Sequence, residues 1–228
     1  HTLGIVTSNG QVLTEGLHQR AAAPAWSPDG TKVAFYGEEG ISELGGPYAQ
    51  GSGVWIVDVA SGSVELLFQV VHIRNMSWSP DGNRMALEVG PPNETHRVVI
   101  IDANSGKEMA RFPGEQPTWS PTGQELIIKT CAPECGLWRV GQNGGAGKLI
   151  TRDSTDSYPG WSSDGRYLTF TSRFRDGDWE IYRLDLETDD LLRLTNRPGT
   201  DTTPVFSPDG LEIYLRTDAF GFWRIMAM

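Results

Sequence analysis

The sequence predicts an all-β fold, a β-propeller of four-stranded blades, on three observations. One short motif recurs five times: Ala25-Trp26-Ser27-Pro28-Asp29-Gly30, Ser77-Trp78-Ser79-Pro80-Asp81-Gly82, Thr118-Trp119-Ser120-Pro121-Thr122-Gly123, Gly160-Trp161-Ser162-Ser163-Asp164-Gly165 and Val205-Phe206-Ser207-Pro208-Asp209-Gly210. The steps from aromatic to aromatic are 52, 41, 42 and 45 residues, the period of one propeller blade. Each copy is followed by the same succession of short apolar segments and tight turns, with no helical period evident.

Within a repeat the elements follow in order. A first strand leads into the motif, as at Tyr158–Ser162. The motif is a hairpin turn: Pro presets φ for the first central position, Asp tolerates the second, and Gly takes the left-handed position. The serine hydroxyl is placed to bond the turn backbone. Second strands follow at Lys32–Tyr36, Arg84–Val89, Glu125–Thr130, Tyr167–Ser172 and Glu212–Thr217. Third strands are predicted at Val54–Val59, Arg97–Asp102, Leu137–Val140, Glu180–Leu186 and Phe222–Met228. Fourth strands are predicted at Ser63–Gln69, Lys107–Phe112, Lys148–Arg152 and Leu191–Thr195, after turns such as Ala60-Ser61-Gly62 and Asn104-Ser105-Gly106.

Upstream of the first motif, Gln11–Glu15 reads as a fourth strand and Leu3–Thr7 as a third. The last repeat stops at its third strand, so an N-terminal strand is expected to join the C-terminal blade and close the ring. Five blades are the expectation, with an incomplete six-bladed ring as the alternative. Residues 1–228 are read as a single β-propeller domain, since one blade cannot bury its own faces.

The formal net charge is -10 and the pI about 4.8. That balance argues against nucleic acid and anionic membrane surfaces as partners, because both need a basic footprint. No apolar run reaches the roughly 18 residues of a membrane span. A chain that begins at His1 rather than Met reads as a processed product or a fragment. The two cysteines, Cys131 and Cys135, are separated by the three residues Ala-Pro-Glu. A local disulfide is the reading preferred over two reduced thiols, and it points to an extracytoplasmic compartment. No metal site or cofactor is expected, since zinc would need further ligands at matching spacing. His18 and His72 fall on adjacent lead-ins and are read as incidental.

The motif Pro-x-Trp-Ser-Pro-Asp-Gly, with Arg175-Asp176-Gly177, Ile181-Tyr182-Arg183-Leu184-Asp185 and Leu191-Leu192-Arg193-Leu194-Thr195 after it, resembles the TolB-type β-propeller repeat. The resemblance covers essentially the whole chain. It implies a propeller and a place in a larger envelope complex. Similar repeats also form the propellers of prolyl-oligopeptidase-like and tricorn-like peptidases.

Strand direction alternates, so the motif turns and the third-to-fourth turns share one face of a blade. The lead-ins and the longer second-to-third loops gather on the other, which is the expected binding face. Candidate residues there are Asp156 and Asp201, each five residues before its repeat's aromatic, with Arg173, Arg175, Asp176 and Asp178 from the Arg173–Asp178 loop. The 17-residue stretch Gly37–Gly53 adds Glu38, Glu39 and Tyr48. The recurrent aromatics are read as wedges between sheets rather than as sugar platforms. No Gly-x-Ser-x-Gly elbow or phosphate loop is present, and the chain is read as non-enzymatic. The expected role is an extracytoplasmic binding or scaffold module for a protein or glycan partner. The alternative is an accessory or gating propeller of a larger hydrolase.

Overall fold

The computed structural model describes residues 20–38, 52–91, 94–173 and 177–228. Every regular element among them is a β-strand, and the strands form five antiparallel sheets in consecutive order. Blade 1 is β1 (Arg20–Trp26), β2 (Lys32–Glu38), β3 (Gly53–Asp58) and β4 (Val64–Gln69); blade 2 is β5 (Ile73–Trp78), β6 (Arg84–Val89), β7 (Arg97–Asp102) and β8 (Glu108–Pro113). Blade 3 is β9 (Glu115–Trp119), β10 (Glu125–Thr130), β11 (Gly136–Gly141) and β12 (Gly144–Leu149). Blade 4 is β13 (Ser157–Trp161), β14 (Tyr167–Ser172), β15 (Glu180–Asp185) and β16 (Leu191–Arg193). Blade 5 has three strands: β17 (Asp201–Phe206), β18 (Ile213–Thr217) and β19 (Arg224–Ala227). The five-blade count holds, and no sixth sheet occurs among the described residues. The strands expected at Leu3–Thr7 and Gln11–Glu15, and with them the closing strand of blade 5, lie outside the described residues.

The chain divides into two compact units, His1–Arg111 and Phe112–Met228. In the first, alternation along β2 sends Val33 and Phe35 to one face and Ala34 and Tyr36 to the other. Val33 and Phe35 pack with Val57. Ala34 and Tyr36 join Val54, Ile56, Met76, Met85, Leu87, Val99 and Ile101 in a core shared by blades 1 and 2, with Trp78 against it. In the second unit, Ile127 and Leu137 of blade 3 meet Leu168, Phe170, Tyr182 and Leu184 of blade 4, with Trp161 packed alongside. Phe35, Leu168 and Phe170 are fully buried, and each such side chain contributes about 1.5–3 kcal/mol. Trp78 and Trp161 therefore act as wedges beside the core that their blade shares with the one before it. Trp26 is 55% exposed, a departure from the uniform wedge expected.

The motif turns show why Ser and Asp recur. The Ser27 hydroxyl donates to Asp29 Oδ1 at 2.6 Å and accepts the Lys32 N–H at 2.9 Å. Asp29 Oδ1 also accepts the Thr31 N–H, and the Gly30 N–H donates to the Ser27 carbonyl. Gly30 sits at φ 70°, as expected for the left-handed position. The same clasp forms at Ser79–Asp81, Ser162–Asp164 and Ser207–Asp209. In blade 3 Thr122 stands in the aspartate's place, and its hydroxyl lies 3.1 Å from Ser120 Oγ. At the third-to-fourth turns, Asp58, Asp102 and Asp185 accept backbone N–H groups of the turn.

Serine hydroxyls and backbone N–H groups favour the ionised form of these carboxylates. Asp29 is lowered from 3.8 to about 2, chiefly by the Ser27 hydroxyl. Asp81, Asp164 and Asp209 are lowered for the same leading cause. A folded pKa below the unfolded one adds stability above about pH 4, and that stability is lost as pH falls towards 2. Thermal unfolding followed by circular dichroism should show a melting temperature that drops across this window, and Asp29→Asn should flatten the drop. Ser162→Ala should cost about 1–2 kcal/mol in urea unfolding, because it removes a buried bond to a carboxylate. Ser120→Ala, facing only Thr122, should cost less.

Candidate functional site

The lead-ins on the loop side are shaped by a recurring irregularity. Ala23, Gln116, Tyr158 and Thr203 each lie three residues before their repeat's aromatic and have φ between 51° and 53°. The register of the first strand against the second slips at each of these points. None is glycine, so each left-handed residue costs on the order of 1–2 kcal/mol, and neighbouring packing must hold it. Side chains of the preceding blade take up the displaced N–H groups in the second unit. Gln116 Oε1 accepts the Tyr158 N–H at 2.7 Å, and Thr171 Oγ1 accepts the Thr203 N–H at 3.1 Å. Bulges of this kind re-aim the residues beside them.

Asp156 and Asp201 lie just beyond the bulges of blades 4 and 5, and both are buried, at 0% and 1% exposure. Asp156 follows a turn in which Asp153 Oδ1 accepts the N–H and hydroxyl of Thr155. The Asp156 N–H donates to the Asp153 carbonyl at 3.1 Å. Asp201 opens β17 opposite Thr217, and its N–H donates to the Trp179 carbonyl of blade 4 at 2.8 Å. Its carboxylate accepts no hydrogen bond among the described residues; Arg197 Nε stands 3.5 Å from Oδ2. Burial of an ionised carboxylate is costly without such a partner.

Around these buried carboxylates stand exposed charges. Arg173 and Asp178 flank the β14–β15 loop and are exposed. The Arg173 N–H donates to Thr155 Oγ1 at 3.1 Å, and its guanidinium lies 6.0 Å over the Trp179 ring. Arg175 and Asp176 lie outside the described residues, as do Glu39 and Tyr48; Glu38 is the last residue of β2. Cys131 and Cys135 form the expected disulfide in the β10–β11 loop. Glu134 within it pairs with Arg152 at 2.9 Å, and its carbonyl accepts the Trp138 indole N–H. His18 lies outside the described residues; His72 is exposed.

Two buried polar groupings escaped sequence reasoning. Glu180, 1% exposed, accepts Arg193 Nη2 at 2.6 Å and the Thr195 hydroxyl. Thr195 Oγ1 in turn accepts the Ile181 N–H at 2.9 Å, and Thr151 Oγ1 does the same for Leu137 in blade 3. The signal was available: an apolar residue and then Thr end the fourth segment of both repeats, Ile150-Thr151 and Leu194-Thr195. In blade 2, His96 Nδ1 meets Glu88 Oε1 at 2.8 Å, and both are buried. No motif marks that pair; antiparallel register brings the ends of β6 and β7 together.

These sheets and their connections define a β-propeller. The structure of TolB from Acinetobacter baumannii matches over 100% of this chain and 56% of that one, with a TM-score of 0.77 and 20% identity. The repeats are similar to those of TolB proteins. A 67-residue stretch, 29% of the chain, is 41% identical to the Tol-Pal system protein TolB of Francisella tularensis, covering 15% of that protein. An uncharacterized protein of Agrobacterium fabrum, Atu1656, is 28% identical over 158 residues, 65% of this chain and 53% of that protein. An uncharacterized peptidase of Bacillus subtilis, YuxL, is 24% identical over 202 residues, 82% of this chain and 28% of the peptidase. The chain thus spans about half the length, or less, of these curated relatives. No protein-family model matches it.

The Glu180–Arg193 pair yields a test of what holds the loop side of blade 4. Arg193→Met leaves a buried carboxylate without its cation and should cost about 3 kcal/mol in urea unfolding. Adding Glu180→Leu to that variant should recover part of the loss, which a double-mutant cycle would measure.

Proposed function

We propose that this chain works as an extracytoplasmic binding module, a single β-propeller over residues 1–228 that offers its loop side to a protein partner. The observation that carries the reading is the second unit's loop side: buried Asp156 and Asp201 behind a rim with exposed Arg173 and Asp178. A rigid strand scaffold bearing charged, irregular loops is the usual build of a recognition surface. Arg175 and Asp176 of the same loop are included in this proposal, and Glu38, Glu39 and Tyr48 are proposed as separate contacts from the first unit. The Cys131–Cys135 disulfide supports an oxidising compartment. Similarity to a protein of the Tol-Pal system favours a protein over a glycan as the partner, and an envelope complex as the setting.

A second reading has support of its own. The peptidase YuxL matches 82% of this chain within 28% of its own length, so this propeller could serve as the accessory or gating domain of a larger hydrolase. A gene that continues into a hydrolase domain would favour this reading.

A photocrosslinking residue placed at Asp178 should give a discrete adduct in native envelope, and one at Glu187, by the third-to-fourth turn of blade 4, should not. Arg173→Ala should cut the yield of that adduct, since both residues are exposed and neither supports the core. Asp156→Ala and Asp201→Ala should weaken the isolated complex at least tenfold while circular dichroism confirms folding. Equal adducts from both positions would remove the loop side as the binding surface. Unchanged affinity in the folded aspartate variants would remove Asp156 and Asp201 from the site.

A further inference from the structure

The turn side of the first unit carries a feature that the loop-side reading does not use. Between the motif turns of blades 1 and 2 lies a recess of about 450 Å³, lined by Pro28, Asp29, Lys32, Trp78, Pro80 and Asp81 among others. That volume is within the range of small-ligand sites. One wall is the Trp78 indole, held by its N–H to the Ala25 carbonyl of blade 1 at 3.1 Å. The two proline rings extend the apolar surface, and Asn83 and Asn104 add amide groups to the lining.

The charged members are pinned rather than mobile. Asp29 and Asp81 are each fixed through Oδ1 by their turns, to Ser27 and Thr31 and to Ser79 and Asn83. Their hydrogen bonds hold both carboxyls ionised. Asp81 Oδ2 lies 3.7 Å from Arg84 Nη2, a loose contact. Lys32 brings one opposing charge; Asp58, held below its usual range chiefly by the Ser61 N–H and hydroxyl, also feels it. The combination depends on sequence as well as on fold. Blades 1 and 2 place an aspartate in both turns with a tryptophan on the second blade. Blade 3 replaces the aspartate with Thr122, and blade 5 replaces the tryptophan with Phe206.

We propose that this recess is a socket for a basic side chain, arginine before lysine, presented by a protein partner. An aromatic wall attracts a guanidinium or ammonium through its π face. Fixed carboxylates add charge-assisted bonds, for which the planar guanidinium has the matching donors. Charge complementarity selects this occupant: the chain carries -10 overall, and a field of that sign draws cations in. A polyol would use the indole and amides and could donate hydroxyls to the carboxylates, but it brings no charge to balance the ionised pair.

The probe is N-acetyl-arginine amide, titrated into the full chain while the tryptophan indole N–H resonances are followed by NMR, with Trp78→Phe assigning the Trp78 signal. Trp78 should shift saturably, with Kd on the order of 1 mM for so small a ligand, and the shift should weaken as salt is raised. N-acetyl-citrulline amide, of similar shape but neutral, should bind at least about fivefold more weakly. Asp29→Asn with Asp81→Asn should produce a similar loss, because asparagine keeps the Oδ1 acceptor that closes each turn and removes only the charge. Lys32→Gln should tighten binding, which a purely structural role for the recess would not produce. Equal shifts from arginine and citrulline probes, or from cellobiose, would overturn the proposal, and so would no shift at Trp78. Failure here would leave the Asp178 crosslink untouched, since the two tests report on opposite sides of the blades.

Discussion

The bond between a motif serine and the aspartate two residues on is the interaction from which the rest of the structure follows. Ser27, Ser79, Ser162 and Ser207 each hold their aspartate and also receive the N–H of the residue five positions later. One hydroxyl thus fixes both the closure of the turn and the point where the second strand begins. Register follows from that point, and a slip of one residue would turn Phe35 or Phe170 out of the core. The serines are themselves buried, while the aspartates they hold stand at the surface.

The two sides of a blade treat polar groups differently. On the turn side, carboxylates remain near solvent and are satisfied by local hydroxyls and N–H groups, so acidity is a by-product of turn closure. On the loop side, Asp156, Glu180 and Asp201 are buried; Glu180 is met by Arg193 of the neighbouring strand, and Asp201 has Arg197 at 3.5 Å. A charged group satisfied locally can be copied from repeat to repeat. One that depends on a distant strand needs its own setting, and these three have no counterpart in every blade.

The same contrast explains how much of the molecule was legible in the sequence. The turns were readable because Pro, Asp and Gly each answer a local backbone demand, and the five sheets followed from their recurrence. The bulges were not, because Ala23, Gln116, Tyr158 and Thr203 show no preference for the left-handed region that they occupy. Packing between sheets sets that conformation, and no local pattern records it. Asp156 and Asp201 were found by position, yet their burial came only with the fold. Glu180 and Arg193 stand 13 residues apart and meet because β15 and β16 run antiparallel. Trp26 carries the same motif as Trp78 and yet is 55% exposed, so the motif alone does not set burial.

The captured bulge groups bear on how freely such repeats can be exchanged. Tyr158 of blade 4 depends on a glutamine of blade 3, and Thr203 of blade 5 on a threonine of blade 4, so these two junctions have different locks. Blades that look alike in their turns are therefore not interchangeable parts. Placing blade 4 or blade 5 behind a different neighbour would keep its hairpins intact and still strand the N–H of Tyr158 or Thr203. Descent from a duplicated unit has left a common hinge at the turn, while the seams have diverged into addresses that specify neighbours.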